Sequence, residues 1–233
     1  MSKFKSETEK LLSVIFPEKC IGCGRYLDGG NRTNDFLLAP YFCQSCAGGV
    51  HRTGPNMRPE RTPHAFDGIA IPLSYEDKVR DAMLSLKFSS NISSAPFFSH
   101  ELEREILTKF YGVDFDIFTC VPSTKKSLAE RGYNQSQLIG ENIHVDAEYD
   151  FSLLRKDKTT GMQHMLTAEE RRVNIESAYS LNNGRNVVGK TILLVDDIFT
   201  TGATCDSCVR TLRFAGAKAV YVACAALTYF EEE

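Results

Sequence analysis

No stretch of this chain approaches the roughly 18–20 consecutive apolar residues that a membrane span requires, so membrane insertion is not expected. The opening "MSKFKSETEKLLSVIFPEKC" holds a short apolar stretch broken by Ser13, too short for a secretory signal. It reads as a short amphipathic helix with Phe4, Leu11, Leu12 and Ile15 on one side. Basic surplus is missing too: the formal net charge is −3. A protein whose main work is gripping a nucleic-acid backbone usually shows the opposite balance, so any such contact must rest on a local patch. There is no G-x-x-x-x-G-K-[ST] loop, no internal repeat and no low-complexity tract. These absences lead us to expect a cytoplasmic location. What is present is a 233-residue chain, 42% hydrophobic, enough to bury a sizeable core in one or two domains.

Four of the eight cysteines form "CIGC" (Cys20, Cys23) and "CQSC" (Cys43, Cys46). In a reducing compartment two such knuckles read as a four-thiolate zinc site, because each tight turn aims two sulfurs at one ion and two turns complete a tetrahedron. Gly22 and Gly24 allow the bends. A closed four-cysteine site has no open coordination position, so the expected zinc is structural. Little charge separates the knuckles (Arg25, Asp28, Arg32, Asp35), which favours folding or docking over nucleic-acid binding. "HRTGPNMRPERTPH" lacks apolar periodicity and reads as a linker. His51 and His64 lie in it, but four cysteines already satisfy a metal. The expected organisation is a helix and zinc ribbon over 1–50, a linker over 51–64 and one domain over 65–233.

From residue 65 strands and helices alternate. "FDGIAIPLSY" reads as a strand, "EDKVRDAMLSLKF" as a helix with Val79, Met83 and Leu86 on one face, and "SAPFFSHELEREILTKFYG" as a second helix. "FDIFTCVPS" reads as a strand, "SLAERGYNQSQLIGENI" as one helix, and "SLLRK" and "SAYSL" as short strands around a polar segment. "KTILLVDD" is a buried strand, "ATCDSCVRTLRFAG" a helix and "AVYVACAAL" the last strand. Apolar strands alternating with helices predict an α/β fold, a parallel sheet covered on both faces. Sites in such sheets lie at the carboxyl ends of strands.

One stretch occupies such an end. "ILLVDDIFTTGATCDS" runs from four apolar residues into Asp196 and Asp197, then through Thr200, Thr201, Gly202, Ala203 and Thr204 into a helix. Amide hydrogens and the positive helix end make that turn an anion site, with Gly202 permitting close backbone approach. Two carboxylates beside it would repel a phosphate, so they should face another part of the same ligand. Vicinal ribose hydroxyls fit, and the ligand so described is a ribose 5-phosphate. A plain strand-to-helix turn capped by Thr201 or Thr204 accounts for the threonines but not for the acids. A receiver domain would need a phosphoacceptor aspartate and a lysine on later strands, and only one strand follows.

"LLVDDIFTTGAT" resembles the PRPP-binding signature of type I phosphoribosyltransferases. The wider pattern resembles the ComF (competence protein F, GntX-like) family: "LLSVIFPEKCIGCG", "MLSLKF", "CVPSTKKSLAERGYNQSQLI", "RKDKTTGMQHMLTAEERRVNIESAYSL" and "KTILLVDDIFTTGATCDSCVRTLRFAGAKAVYVACAAL". One departure is Cys120, where the family often has the first proline of P-V-P. The resemblance implies a type I phosphoribosyltransferase fold preceded by a small zinc ribbon. It implies that Asp196 and Asp197 contact the ribose hydroxyls, that Thr200–Thr204 hold the 5-phosphate and that Val121-Pro122-Ser123-Thr124 hold pyrophosphate with Mg²⁺. Lys125, Lys126 and Arg131 follow at once and suit a polyanion, although they also fit a solvated helix start; Lys87 is a further candidate. The polar tract "RKDKTTGMQHMLTAEERR", with Thr159, Thr160 and Gly161 as flexible points, suits a flap over the site and equally a surface loop. Gln163 and Arg171 would face the ligand, and His164 stands beside them.

The third C-x-x-C, Cys205 and Cys208, shares a core-facing stripe with Val209, Leu212 and Ala215, so it reads as packing. Cys120 and Cys224 read as small hydrophobes, and His100 and His144 have no partner by spacing. Two function classes stand. One is an enzyme displacing pyrophosphate from PRPP through an oxocarbenium-like transition state, with Arg131 and the pyrophosphate loop stabilising charge. The other is a non-catalytic PRPP or phosphate sensor, or a docking subunit of a DNA-import machine. The family's association with natural transformation makes single-stranded DNA or a DNA-uptake helicase the expected partner. No base-reading set is evident, so the acceptor stays open.

Overall fold

The computed structural model of the protein describes residues 18–28, 30–54, 64–88, 92–156 and 178–228. The expected N-terminal helix, most of the 51–64 linker and the proposed flap with Gln163, His164 and Arg171 lie outside the described residues. The chain divides into two compact units. One takes Met1–His51 with Glu76–Ser94, the other Arg52–Tyr75 with Ala95–Glu233.

The first unit is built from turns. Isolated pairings, Lys19 with Tyr26 and Arg32 with Cys43, frame the two cysteine knuckles, and α1 (Gln44–Ala47) follows the second. Its principal helix is α2 (Asp77–Phe88), which buries Val79, Ala82, Met83 and Leu86. That i, i+3, i+4, i+7 spacing is one face of a helix, as its sequence reads. Phe42 is wholly buried among the knuckles. A Cβ on Gly22 would lie 3.2 Å from both Phe42 and Cys46, so this turn leaves little room for a side chain.

The second unit is organised by a parallel sheet. Its strands are β1 (Gly68–Ala70), β2 (Leu73–Ser74), β3 (Ile117–Cys120), β4 (Glu148–Tyr149), β7 (Thr191–Phe199) and β8 (Ala219–Leu227), in spatial order β1-β8-β7-β3-β4 with β2 also against β8. Every pairing within it is parallel. The strands β5 (Leu154–Lys156) and β6 (Tyr179–Leu181) form a separate antiparallel pair. Helix α3 (Ala95–Lys109) packs against β1 and β8, and α6 (Ala203–Phe214) against β6, β7 and β8. Ile192 and Leu194 join Val209, Leu212, Val220 and Val222 in one core cluster, while Leu193 between them is equally buried. A strand buried on both faces must be apolar at consecutive positions, which is why Ile192–Val195 reads as an unbroken run. Each such Leu, Ile or Val contributes about 1.5–3 kcal/mol on burial.

Three elements differ from the sequence reading. "FDGIAIPLSY" is two short strands, because Pro72 has no N–H to give to a ladder. "SLAERGYNQSQLIGENI" is two helices, α4 (Lys125–Arg131) and α5 (Gln135–Gly140). Gly132 ends the first at φ 82, its N–H donating to Leu128 O, a left-handed cap that glycine adopts without penalty. The strand containing the acids continues past them to Phe199, its pairing with β8 running on through Asp196 with Cys224 and Ile198 with Ala226 to Phe199 with Leu227. On its other side β3 stops at Cys120, opposite Val195. Asp196 and Asp197 therefore lie inside a strand, at the point where it loses one neighbour.

Candidate functional site

That lost neighbour makes the opening. Val121 N still donates to Val195 O at 2.9 Å, and the chain then leaves the sheet through Pro122, Ser123 and Thr124 beside the acids. The acids are not equivalent. Asp196 is buried, and its Oδ1 accepts from Ser136 Oγ at 2.8 Å and from the Asp197 amide at 2.9 Å. Asp197 is half-buried, and its Oδ1 accepts from Ile198 N at 2.7 Å. Beyond Phe199 the turn carries Thr200 and Thr201 exposed, and Gly202 buried at φ 78 as the residue before α6. A Cβ on Gly202 would lie 2.6 Å from both Phe199 Cζ and His64 Cε1, so backbone angle and space both require glycine. Ala203 and Thr204 are exposed in the first turn of α6, the Ala203 amide donating to Thr201 Oγ1 at 3.4 Å, and a helix start of this kind favours an anion.

The loop after β3 lies at the same end of the sheet. Thr124 caps α4, accepting from Ser127 N at 2.9 Å and lying 2.8 Å from Ser127 Oγ. Ser123 is half-exposed, Lys125 and Lys126 are exposed, and Lys126 stands 3.9 Å from Glu130. Arg131 Nη1 donates to Gln135 Oε1 at 3.1 Å. Lys87 belongs to α2 of the first unit. The acidic pair, the 200–204 turn and the 121–124 loop are thus brought to one end of one sheet.

Sequence reasoning missed the residues that hold this arrangement. Asn134 Nδ2 donates to Val121 O at 2.9 Å while its Oδ1 accepts from Ser136 N at 3.1 Å, opening α5. Ser136 on that helix then grips Asp196. The stretch "GYNQS" is therefore a strut: Gly132 turns the chain, Asn134 ties it to the loop, and Ser136 reaches the acid. Tyr179 is also involved, its side chain bonded to Thr204; burial first, then the charges of Cys208 and Asp196, push its phenol up. His64, placed in the linker by sequence, is buried against Asp206. The signal for Asn134 and Ser136 was present as N-cap chemistry after glycine, whereas His64 gave none.

In the first unit one ligand atom from each of Cys20, Cys23, Cys43 and Cys46 lies within 4.8 Å of the others. Cys23 and Cys43 sulfurs are 3.8 Å apart, and Zn–S bonds of about 2.3 Å give a tetrahedral edge of about 3.8 Å. Cys43 N donates to Cys20 Sγ at 3.4 Å and Arg25 Nε to Cys23 Sγ at 3.5 Å, which suits thiolate charge. The four sites are not alike before metal arrives. Burial opposes ionisation of Cys23, but bonds from the Arg25 side chain and backbone bring it down to about 6. Burial and neighbouring thiols push Cys46 up. Four thiolates side by side need a cation, so the donor set fits a closed structural zinc.

A parallel sheet with helices on both faces and an acid–threonine–glycine turn at its carboxyl end defines a phosphoribosyltransferase-type fold, and residues 136–229 match the phosphoribosyl transferase domain. DNA utilization protein YhgH of Escherichia coli strain K12 is 28% identical over 189 residues, covering 78% of this chain and 82% of that protein. Competence protein F of Haemophilus influenzae is 33% identical over 95 residues, 40% and 42% of the two chains. Competence protein ComFC of Bacillus subtilis is 24% identical over 139 residues, 60% and 55%. The domain match and these relatives support a ComF-family, phosphoribosyltransferase-like protein, with a four-cysteine cluster in its N-terminal unit. Among the described residues no helix is long and apolar enough to cross a membrane.

Proposed function

We propose that the protein binds PRPP and transfers its phosphoribosyl group with release of pyrophosphate. The convergence of the Asp196–Asp197 pair, the 200–204 turn and the 121–124 loop carries this reading. The turn holds the 5-phosphate through amides and threonine hydroxyls. Asp197, the more open acid, accepts from the ribose hydroxyls, and Asp196, braced by Ser136, fixes the strand end beneath them. Ser123, Thr124 and Lys125 lie where pyrophosphate would leave, with Arg131 as a further cation. A magnesium ion bound with PRPP would supply charge neutralisation for the departing pyrophosphate, held between that loop and the acids. The four cysteines hold a structural Zn²⁺. The names of the relatives support a role in competence and DNA utilization, with single-stranded DNA or a DNA-uptake helicase as partner. Eight cysteines, none of them in a disulfide, favour a reducing, cytoplasmic setting. Asp196 is already satisfied within the protein, which favours a second reading: a site that senses PRPP without turnover.

Calorimetry with PRPP and Mg²⁺ tests binding, and pyrophosphate release with candidate bases and single-stranded DNA separates enzyme from sensor. A hydrogen bond to a charged group is worth roughly 1.5–3 kcal/mol, so Asp197→Asn should weaken PRPP on the order of tenfold to a hundredfold. Inorganic phosphate, which does not reach the acid, should bind as before. Unchanged PRPP affinity in both Asp196→Asn and Asp197→Asn would overturn the reading.

A further inference from the structure

We propose that His64 is a positioning residue of the phosphate turn: by pairing with Asp206 it masks a carboxylate that would otherwise oppose an incoming phosphate. The inference rests on the ribose 5-phosphate reading of the 200–204 turn. His64 is 142 residues from Asp206 in sequence, yet its Nδ1 lies 2.7 Å from Asp206 Oδ2 and its side chain is only 4% exposed. An ionised carboxylate can only accept, so Nδ1 carries the proton. The other oxygen, Oδ1, accepts from Ala65 N at 2.9 Å. Both oxygens of Asp206 are thus engaged by two consecutive residues. Phe66 stacks on the imidazole at 4.9 Å and Phe199 meets it edge-on at 5.5 Å. This apolar bracket gives the ring little freedom to turn its nitrogen elsewhere.

The pair lies against the turn itself. A Cβ on Gly202 would be 2.6 Å from His64 Cε1 and 3.1 Å from Nδ1. Asp206 N donates to Gly202 O at 2.8 Å, placing Asp206 in the helical turn that Gly202 begins. An acid in a first turn is favourable to the helix end. For the same reason it competes with any anion seeking that end. A helix expected to receive a phosphate there gains from having such an acid paired, and His64 supplies the pairing.

The test titrates inorganic phosphate and PRPP into wild type, His64→Leu, His64→Asn, Asp206→Asn and the His64→Leu/Asp206→Asn double variant, with a melting curve for each. His64→Leu should lose about tenfold in affinity for both ligands, the scale of one hydrogen bond to a charged group withdrawn from Asp206. His64→Asn, whose amide can donate where Nδ1 did, should stay near wild type. The double variant should regain most of the loss even if it melts no higher, which a purely structural latch would not allow. Asp206→Asn alone should bind phosphate at least as tightly as wild type, and this arm holds even if His64→Leu fails to fold. Weaker phosphate binding by Asp206→Asn, or no recovery in the double variant, overturns the masking role. If wild type binds and His64→Leu binds equally, only the role of His64 falls. If wild type binds neither ligand, the ribose 5-phosphate reading falls and takes this role with it.

Discussion

Each unit carries four cysteines, and the same side chain does opposite work in the two. In the first unit Cys20, Cys23, Cys43 and Cys46 converge on one point, with Cys23 exposed and depressed to about 6. In the second, Cys120, Cys205, Cys208 and Cys224 are all buried. Burial pushes Cys120, Cys208 and Cys224 up, each reinforced by the Asp196 charge. Contact with Cys224 at 3.9 Å works to lower Cys205, but burial and Asp196 outweigh it. A thiol kept protonated by burial packs as a small hydrophobe. Cys205 and Cys208 accordingly share the buried face of their helix with Val209 and Leu212. Spacing alone does not separate the two sets; the company each keeps does. Turns that aim sulfurs together make a ligand set, whereas positions on an amphipathic helix facing a sheet make a core.

The sharpest way to break this comparison is to remove the metal we propose. Structural zinc sites of this kind bind with about 10–16 kcal/mol of apparent free energy, much of it folding energy. Chelation, or Cys43→Ser, should therefore unfold the first unit, including α2. Limited proteolysis should cut within 18–51 and 77–88, while fragments containing β7 and β8 survive. Survival of α2 without metal would show that its buried face, Val79, Ala82, Met83 and Leu86, suffices by itself. The converse change, Leu194→Ala, removes a fully buried side chain from the middle of β7 and should cost about 2–5 kcal/mol. Urea unfolding should show the second unit weakened, with bound metal retained. Metal loss in step with that transition would mean that the two units do not fold separately.

The sheet was legible because its signal is local and redundant. Ile192–Val195 and Val220–Leu227 are apolar runs that only a doubly covered strand explains, and the four N-terminal cysteines read as a cluster because two glycine-bearing or polar C-x-x-C turns stand close together outside any amphipathic helix. Helix and strand ends were less legible, being decided by single residues such as Gly132 and Pro72. The acidic pair was found, but its inequality was not. Whether Asp196 or Asp197 faces outward depends on Ser136, 60 residues away in sequence, and on β3 ending one residue short. Nothing within the "VDD" stretch records either fact. His64 was the least legible, a polar residue in a proline-rich stretch whose meaning comes entirely from tertiary neighbours.

Acid should separate the two units most gently, and in a fixed order. Metal binding by thiolates competes with protons, so the first unit should release metal and melt as pH falls through the mildly acidic range. In the second, Asp116 at the foot of β3 accepts from Thr191 N at 2.8 Å and pairs with Lys190 at 3.1 Å. The Thr191 bond first, then Lys190, holds its carboxyl below the usual value of 3.8. A folded-state pKa below the unfolded one gives stability that is complete above the unfolded value and lost as pH falls through the folded one. Asp116→Asn should therefore lower the melting temperature of the second unit slightly at neutral pH. The difference from wild type should shrink as pH falls through the lowered folded-state pKa, below which both proteins carry a neutral side chain. Because Asp116 is exposed, the shift should also shrink as salt is raised. Thermal melts of both proteins across this pH range, with metal release followed in parallel, check the order. A second unit that melts before the metal leaves would reverse the comparison, making the thiolate cluster the more acid-resistant half.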